Sequence, residues 1–210
     1  MIPDTDPLNL IVCGIGGQGN ILISRMIGRI LSEKGYYITI GETFGAAQRG
    51  GAVHSSMRIS RKRYYGPLIP KGKGHIILSL EPLETLRILG TYGNENVLTV
   101  SNTQPVYPVG VAAGKTQYPD LHKLMEAVRN LSEACWFVNV SRMAVDLGSP
   151  IAANIILLGS LIGTGKIPLT RAEVGAEIKS TFAPAVVELN LRALLVGIEA
   201  VSTQASRLPA

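Results

Sequence analysis

Cysteine is nearly absent from this sequence of 210 residues, which contains only Cys13 and Cys135. The two cysteines lie far apart, each within an apolar run typical of a β-strand, so their spacing matches neither a disulfide framework nor a C-x-x-C ligand pair. An iron–sulfur cluster usually needs about four thiolates. We therefore expect that this chain holds no such cluster of its own.

Histidine is equally scarce, with His54, His75 and His122 as the only examples. None of them has the spacing of a metal-ligand pair, and no Ser/His/Asp arrangement accompanies them. We expect no metal site in this chain, and the sequence assigns no catalytic residue to it.

Long hydrophobic runs are also missing, because no apolar stretch reaches the roughly 20 residues that a membrane-spanning helix needs. The longest, residues 151–163, is interrupted by Asn154 and two glycines. The first ten residues are acidic and contain proline, unlike the basic and then apolar profile of a signal peptide. We expect a cytoplasmic protein with no membrane span.

Aromatic side chains that stack on bases are few, with 3 Phe and 1 Trp, although the net charge is +5. The basic residues are mostly scattered, which argues against a nucleic-acid partner. One concentration lies at residues 61–73, "RKRYYGPLIPKGK". A solvated hairpin tip is the favoured interpretation of this segment, and a contact with a phosphate-bearing ligand or an acidic partner is the alternative.

The sequence contains enough apolar residues for one large core, since 46% of its residues are hydrophobic and only 17% are charged. We find no linker, so we expect a single domain over residues 1–210, with part of its apolar surface buried against another chain.

Strand-like and helix-like segments alternate along the chain. A β-α-β unit occupies the first 42 residues, and its two strands are expected to be parallel. Expected strands are 8–13, 36–42, 53–59, 75–80, 96–101 and 135–140; expected helices are 20–34, 81–90, 120–131, 150–163, 170–180 and a stretch from 183. This order predicts an α/β layered fold with a mainly parallel sheet flanked by helices, Rossmann-like, and a helical C-terminal tail.

The first glycine loop, "GIGGQG" at residues 14–19, lies between an expected strand and an expected helix. Gly14, Gly16 and Gly19 match G-x-G-x-x-G, and Glu42 closes the second strand near where a ribose-binding acid would lie. A stand-alone dinucleotide-binding protein is therefore one hypothesis. A tight strand-to-helix turn without a ligand explains the same glycines.

The second glycine loop, residues 45–51, carries Gln48 and Arg49 ahead of two glycines. In an open parallel sheet both loops emerge at one edge, where ligands and partners bind. We expect Gln48 and Arg49 to face outward there beside Gln18, unless Arg49 caps a carbonyl or pairs with Glu42. The candidate contact residues are Gly16, Gly17, Gln18, Gly19, Gln48, Arg49, Gly50, Gly51 and His54.

Other polar residues have structural explanations as strong as functional ones. Glu81 and Glu84 suit the N-terminus of a helix. Asn102 and Gln104 follow a strand and either line the same edge or form a turn. Arg142 and Asn154 are either interface contacts or ordinary capping and core residues; the latter interpretation is favoured.

The chain resembles a known family in both glycine loops and in the segments "SLEPLETLR", "NTQPVYP" and "TFAPAVVELNLRAL". Over about residues 8–198 the chain resembles the gamma-type domain of the 2-oxoacid:ferredoxin oxidoreductases, and among these the small (beta) subunits of indolepyruvate ferredoxin oxidoreductases. The resemblance favours this family over the dinucleotide hypothesis.

The resemblance implies a subunit that is inactive alone and joins a larger alpha subunit carrying thiamine diphosphate, Mg and iron–sulfur clusters. The complex would convert a 2-oxoacid such as an aryl pyruvate, with coenzyme A and oxidised ferredoxin, to acyl-CoA, carbon dioxide and reduced ferredoxin. The glycine-loop residues would then contact substrate, coenzyme A or the partner chain. A regulatory homologue that keeps the fold without the partner is a third hypothesis.

Overall fold

The computed structural model describes residues 5–42, 50–107, 111, 114, 117–202 and 204. These residues form a six-stranded sheet with helices on both faces. In chain order the elements are β1 (Leu8–Ile15), α1 (Asn20–Glu33), β2 (Tyr37–Glu42), β3 (Ala52–Ser60), β4 (Ile76–Ser79), α2 (Pro82–Tyr92), β5 (Leu98–Asn102), α3 (Leu121–Asn130), β6 (Ala134–Val138), α4 (Val140–Asp146), a 3-10 turn (Pro150–Ala152), α5 (Ala153–Gly163), α6 (Arg171–Thr181) and α7 (Pro184–Ser202).

The strands lie in the order β2-β3-β1-β4-β5-β6, and all except β3 run in the same direction. The α/β fold predicted from the sequence, with a mainly parallel sheet and a helical tail, is confirmed. β1 and β2 are not neighbours, however, because β3 pairs antiparallel with both. Its buried Met57 lies opposite Leu10 of β1 and Ile40 of β2, so β3 fills an interior position in the sheet.

Two apolar layers cover the sheet because alternate strand residues point to opposite faces. Leu10 and Val12 of β1 pack with α1, α5, α6 and α7, whereas Ile11 and Cys13 pack with α2 and α3. β1 is therefore buried on both faces, as its continuous apolar sequence predicted. The arrangement leaves the ends of the strands as the places where polar loops gather.

Helix α5 is the most deeply buried helix of the described residues, because every residue from Asn154 to Leu161 is buried. It packs against α7 at a close backbone approach, where a β-carbon at Gly163 would lie 2.7 Å from Ile198 O. Most apolar residues of the C-terminal sequence are therefore buried in the core of this chain. Across the described ranges, no helix is both long and apolar enough to cross a membrane.

The basic segment 61–73 is not the tip of a hairpin, because β3 and β4 do not pair with each other and lie on either side of β1. Its chain crosses the end of the sheet, where the Arg58 and Arg63 guanidiniums lie 4.7 and 4.9 Å from the centre of the Tyr65 ring. Tyr64 and Leu68 are exposed beside them. The segment therefore presents a basic surface with aromatic and apolar residues.

Candidate functional site

The first glycine loop turns the chain from the end of β1 into α1 within a few residues. Gly17 and Gly19 have φ angles of 100° and 93°, in the left-handed region that strongly favours glycine. Gly14 leaves room for two neighbouring side chains, since a β-carbon there would lie 2.6 Å from Gln18 Oε1 and 3.1 Å from Leu80 Cβ. The glycines thus bring the N-terminus of α1 close to the end of β1.

Gln18 folds back into this turn and holds two strands together. Its Oε1 accepts a hydrogen bond from Ile15 N at 2.7 Å, and its Nε2 donates to Leu80 O at 3.3 Å. The second of these hydrogen bonds reaches the loop after β4. Gln18 therefore stabilises the turn instead of projecting from it.

The two glycine loops meet at the edge where β1 ends and β3 begins, which we call the glycine-loop edge. Gly16 N donates to Gly51 O at 2.8 Å, and Gly50 N donates to Gly16 O at 3.3 Å. The prediction that the loops share one edge is confirmed by this pair of hydrogen bonds. Gln48 and Arg49 lie outside the described residues, so their outward orientation stays a prediction.

A cavity of about 260 Å³ opens at the glycine-loop edge, between the first loop and β3. His54 borders the cavity from β3, but its side chain lies on the face of the sheet that packs α2, with its ring 6.0 Å from the Tyr92 ring. Burial lowers the pKa of its imidazole below the ordinary value. The role of His54 as a contact residue stays a prediction. The lining residues are Gly16, Gly17, Gly19, Asn20, Ile21, Val53, His54 and Ser55.

Asn20 is one of four lining residues that the sequence did not single out, with Ile21, Val53 and Ser55. It is the first residue of α1 and is only 4% exposed. Its position directly after G-x-G-x-x-G was the available signal, since a polar side chain there lies beside the backbone N–H groups of a helix N-terminus.

The loop after β4 supplies a second polar cluster next to the glycine-loop edge. Glu81 caps α2 by accepting from Glu84 N at 2.9 Å, as predicted for a helix N-terminus. Its other oxygen accepts from Tyr118 OH at 2.5 Å and from Val106 N at 3.3 Å. Glu81 therefore ties the segments before and after residues 108–116 to the sheet.

Asn102 at the end of β5 has a structural role. Its Nδ2 donates to Leu80 O at 3.0 Å and to Ser141 Oγ at 2.9 Å. Leu80 O thus accepts from both Asn102 and Gln18, which joins the ends of β1, β4 and β5. Gln104 is exposed next to this junction.

Asn154 has the buried position that the sequence favoured, whereas the side chain of Arg142 is exposed and neither caps a helix nor lies in the core. Arg142 forms an ion pair with Asp146 one helical turn later, at 2.9 Å. Asn154 is buried, and its side chain packs so closely against Gly19 that a β-carbon at position 19 would overlap it. Asn154 therefore forms part of the wall behind the first glycine loop.

The two cysteines do not fit an iron–sulfur cluster. Cys13 lies on β1 and Cys135 on β6, three strand spacings away, or roughly 14 Å. Burial raises the pKa of each thiol to about 12, so both are protonated at neutral pH. Within the described ranges, no group of three or more His, Cys, Asp or Glu side chains is arranged to hold a metal ion.

Glu42 does not take the place of a ribose-binding acid beside the first glycine loop. In a Rossmann β-α-β unit the acid ends the strand next to β1. Here β3 occupies that position, and Glu42 instead lies 3.5 Å from Arg25 of α1. The inserted strand moves the acid one strand spacing, about 5 Å, farther from the loop.

The mixed sheet flanked by helices makes this an α/β protein, and comparison with known proteins shows its family. The sequence profile of the family described as "Pyruvate ferredoxin/flavodoxin oxidoreductase" matches residues 9–200. This chain belongs to that family.

Curated relatives match over nearly their whole lengths. The chain is 37% identical to the indolepyruvate oxidoreductase subunit IorB of Archaeoglobus fulgidus, covering 90% of this chain and 93% of the relative. It is 31% identical to the subunit of the same name from Pyrococcus horikoshii, covering 91% and 95%.

Solved structures share the fold at lower identity. The pyruvate oxidoreductase subunit PORC of Thermotoga maritima superposes with a TM-score of 0.67 at 21% identity, over 93% of this chain and 97% of that one. The 2-oxoglutarate:ferredoxin oxidoreductase of Magnetococcus marinus gives 0.73 at 18% identity, over 98% of this chain but only 33% of that one. The fold therefore occurs both as a separate chain and within a longer one.

Proposed function

We propose that this chain is the small subunit of a thiamine-diphosphate-dependent 2-oxoacid:ferredoxin oxidoreductase that acts on indolepyruvate or a related aryl pyruvate. The observation that carries the proposal is the near full-length match to subunits named for indolepyruvate oxidoreductase, 90% of this chain and 93% of the relative. The hydrogen bonds that join Gly16 to Gly50 and Gly51 support it, because loops that gather at the carboxyl ends of parallel strands commonly form sites for a substrate or partner.

In the proposed reaction, a 2-oxoacid, coenzyme A and oxidised ferredoxin give acyl-CoA, carbon dioxide and reduced ferredoxin. Thiamine diphosphate, Mg and iron–sulfur clusters belong to the larger subunit, which supplies the decarboxylation and electron-transfer chemistry. This division agrees with the separation of Cys13 and Cys135 and with their protonated thiols. The present chain contributes binding and orientation through Gly16 to Gly19 and Gln48 to Gly51, with His54 at the same edge. The expected cytoplasmic location stays a prediction.

Co-purification tests the proposed assembly. An affinity tag on this chain in its native host should retain a larger subunit that mass spectrometry identifies by its cysteine-rich cluster motifs. The complex should contain iron and thiamine diphosphate, while the chain purified alone should be colourless and inactive with indolepyruvate. Recovery of the chain without a larger subunit would contradict the proposal, as would about four iron atoms bound to the isolated chain. If the host also makes the oxidoreductase, recovery of the chain without it would favour a regulatory homologue.

Calorimetry separates this proposal from the dinucleotide hypothesis. We expect no nicotinamide or flavin nucleotide to bind the isolated chain usefully, because Gln18 occupies the turn and β3 displaces Glu42. A dissociation constant near or below about 10 μM, roughly −7 kcal/mol, would instead support a dinucleotide-binding protein.

A further inference from the structure

The positive charge of this chain is concentrated in one stretch of the sequence. Residues 50–80 contain six basic residues and no Asp or Glu, whereas the net charge of the whole chain is +5. The remaining residues are therefore close to neutral in sum. The six basic residues are Arg58, Arg61, Lys62, Arg63, Lys71 and Lys73. A concentration of one sign of charge on a protein surface attracts partners of the opposite sign.

Part of this stretch forms an exposed surface in which arginine and tyrosine side chains stack. We call it the arginine–tyrosine surface; its residues are Arg61, Lys62, Arg63, Tyr64, Tyr65 and Leu68. The Arg61 guanidinium lies 5.5 Å from the centre of the Tyr36 ring, and the Tyr64 and Tyr37 rings meet edge to face at 5.0 Å. The surface lies at the opposite end of the sheet from the glycine-loop edge, because β3 ends where β1 and β2 begin.

The segment that carries this surface is held in place, although it contains no helix or strand. Arg58 Nη1 donates to Gly66 O at 3.2 Å and to Leu68 O at 3.3 Å, and the next residue, Ile69, is buried in the core. A binding surface that is ordered before its partner arrives loses less conformational entropy when the complex forms. The arginine–tyrosine surface is therefore preorganised for binding.

Several cations of this stretch are not neutralised by the chain itself. Among the described residues, no carboxylate forms an ion pair with Lys62, Arg63, Lys71 or Lys73. Asp6 reaches the segment, but its two oxygens accept hydrogen bonds from Ser60 Oγ at 2.6 Å and from Arg61 N at 3.0 Å. Carboxylates of another molecule would therefore meet cations that lack an ion pair.

Two exposed side chains favour a protein as that molecule. Tyr64 is 69% exposed and Leu68 is 83% exposed, so both offer apolar contact area beside the cations. Tyrosine and arginine are enriched in protein–protein interfaces and at the residues that dominate their binding energy. A second copy of this chain does not fit, because a symmetric contact would bring like charges together.

Other polyanions fit the arginine–tyrosine surface less well. Single-stranded nucleic acids stack their bases on open aromatic rings, whereas two guanidiniums already lie against the Tyr65 ring. An anionic membrane surface binds segments that insert an apolar face. Leu68 is the one exposed Leu, Ile or Val among residues 58–73, all of which the structure describes.

We propose that the arginine–tyrosine surface binds an acidic segment of a partner protein. Carboxylates of that segment pair with Lys62 and Arg63, and its apolar side chains contact Tyr64 and Leu68. This assignment goes beyond the proposed function and does not depend on it, because it rests on residues at the other end of the sheet from the glycine-loop edge.

Fluorescence anisotropy with the isolated full-length chain tests this surface. The probe is a labelled peptide of glutamate and leucine, and the same peptide with glutamine in place of glutamate is its control. The acidic peptide should bind saturably, with an affinity that falls as salt is added, and the glutamine peptide should not bind. Single-stranded RNA and vesicles that contain phosphatidylserine are measured at equal negative charge, and both should bind more weakly than the acidic peptide.

Substitutions locate the contact. Lys62→Glu combined with Arg63→Glu should weaken binding of the acidic peptide about tenfold or more, because two ion pairs are replaced by two repulsions. Arg171→Glu combined with Arg192→Glu is the matched control, since it changes net charge equally at exposed positions of helices that cover the other face of the sheet. Leu68→Ala should weaken binding about threefold or more through lost apolar contact. Thermal melts show whether each variant is folded.

Several results would overturn the assignment: no saturable binding of the acidic peptide, equal binding of the glutamine peptide, or equal weakening by the two double variants. Tighter binding of RNA or vesicles would overturn it in favour of a phosphate-bearing ligand. Unchanged affinity in Leu68→Ala would also overturn it, because binding would then rest on charge alone. If the Lys62 and Arg63 double variant is unfolded, glutamine replaces glutamate at both positions. None of these measurements involves the larger subunit, so a failure here differs from a failure of the proposed function.

Discussion

At the scale of single residues, the glycine-loop edge combines side chains that hold the fold with positions that remain open for contacts. Gln18 and Asn102 both donate to Leu80 O and so fix the ends of three strands. Asn20 has no such partner. Because of the hydrogen bonds to Leu80 O, substitution of Gln18 or Asn102 should disturb the fold.

Among substitutions of single residues, we predict the largest functional effect for a change at Arg49. Its guanidinium offers a planar fork of donors to a carboxylate or phosphate, which lysine cannot reproduce. Arg49→Lys should lower turnover or complex affinity about 10- to 150-fold, since one charge-assisted hydrogen bond contributes about 1.5–3 kcal/mol. Steady-state kinetics of the reconstituted complex measure the effect.

Arg129→Lys is the control for that substitution, because Arg129 in the last turn of α3 stacks on Phe137 of β6, three strands away from β1. The isolated Arg49→Lys chain should melt within a few degrees of wild type. Full activity and normal assembly would mean that Arg49 serves only the turn.

His75 should make the stability of the chain depend on pH. Its Nδ1 accepts a hydrogen bond from Asn9 N at 2.8 Å, and burial, followed by the charges of Lys73 and Arg58, lowers the pKa of the imidazole below 6.5. The unfolded chain therefore binds more protons near pH 6.5, so the free energy of unfolding should fall as pH drops from 6.5 towards the folded pKa. Titration of one group changes the free energy of unfolding by at most about 1.4 kcal/mol per pH unit. Solvent access to this half-buried ring makes the change smaller.

Urea unfolding of His75→Asn at several pH values measures that dependence. Asparagine places an amide oxygen near the position of Nδ1 but does not titrate, so the variant should lose less stability on acidification. His122→Gln, at an exposed position on α3, should retain the wild-type slope. Identical slopes for all three proteins would show that His75 does not contribute.

At the scale of secondary-structure elements, the packing of α5 on α7 explains how the apolar C-terminal sequence is buried. The helices approach so closely that a β-carbon at Gly159 or Gly197 would overlap backbone atoms of the other helix. The sequence predicted both helices from their periodicity, but it could not show that they pack on each other. That contact depends on small residues 38 positions apart in the chain.

Gly197→Ala should therefore destabilise the protein by about 1–3 kcal/mol, the usual cost of overpacking a core. Gly90→Ala is the matched control, since a β-carbon there meets nothing within 4 Å on α2. Alanine at a helical position should instead stabilise the protein by about 0.5–1 kcal/mol. Chemical denaturation measures both changes, and equal stability of the two variants would contradict the close packing of α5 on α7.

Sequence periodicity located most elements but not the order of the strands. Alternation in β3, from Val53 to Ile59, predicted a strand with two distinct faces, yet its place between β1 and β2 depends on pairing between distant segments. The short helix α4 was not predicted because its seven residues are too few for a clear helical period. Its signal was Asn139, whose side chain caps Arg142 N at 3.0 Å.

At the scale of the whole molecule, polar loops gather at one end of the sheet while both faces are covered by helices. The glycine motifs identified this edge from the sequence because loops after parallel strands emerge together. The cavity could not be predicted, since it depends on β3 lying beside the first loop. The comparisons with relatives place the chain in a family of oxidoreductases.

The most direct test of the proposed function is to add this chain to its purified larger subunit and measure indolepyruvate-dependent reduction of ferredoxin in the presence of coenzyme A. The account predicts that neither protein alone sustains turnover and that activity rises with added chain until it saturates at a fixed ratio. Full activity of the larger subunit alone, or an inactive mixture of two folded and cofactor-loaded proteins, would contradict it.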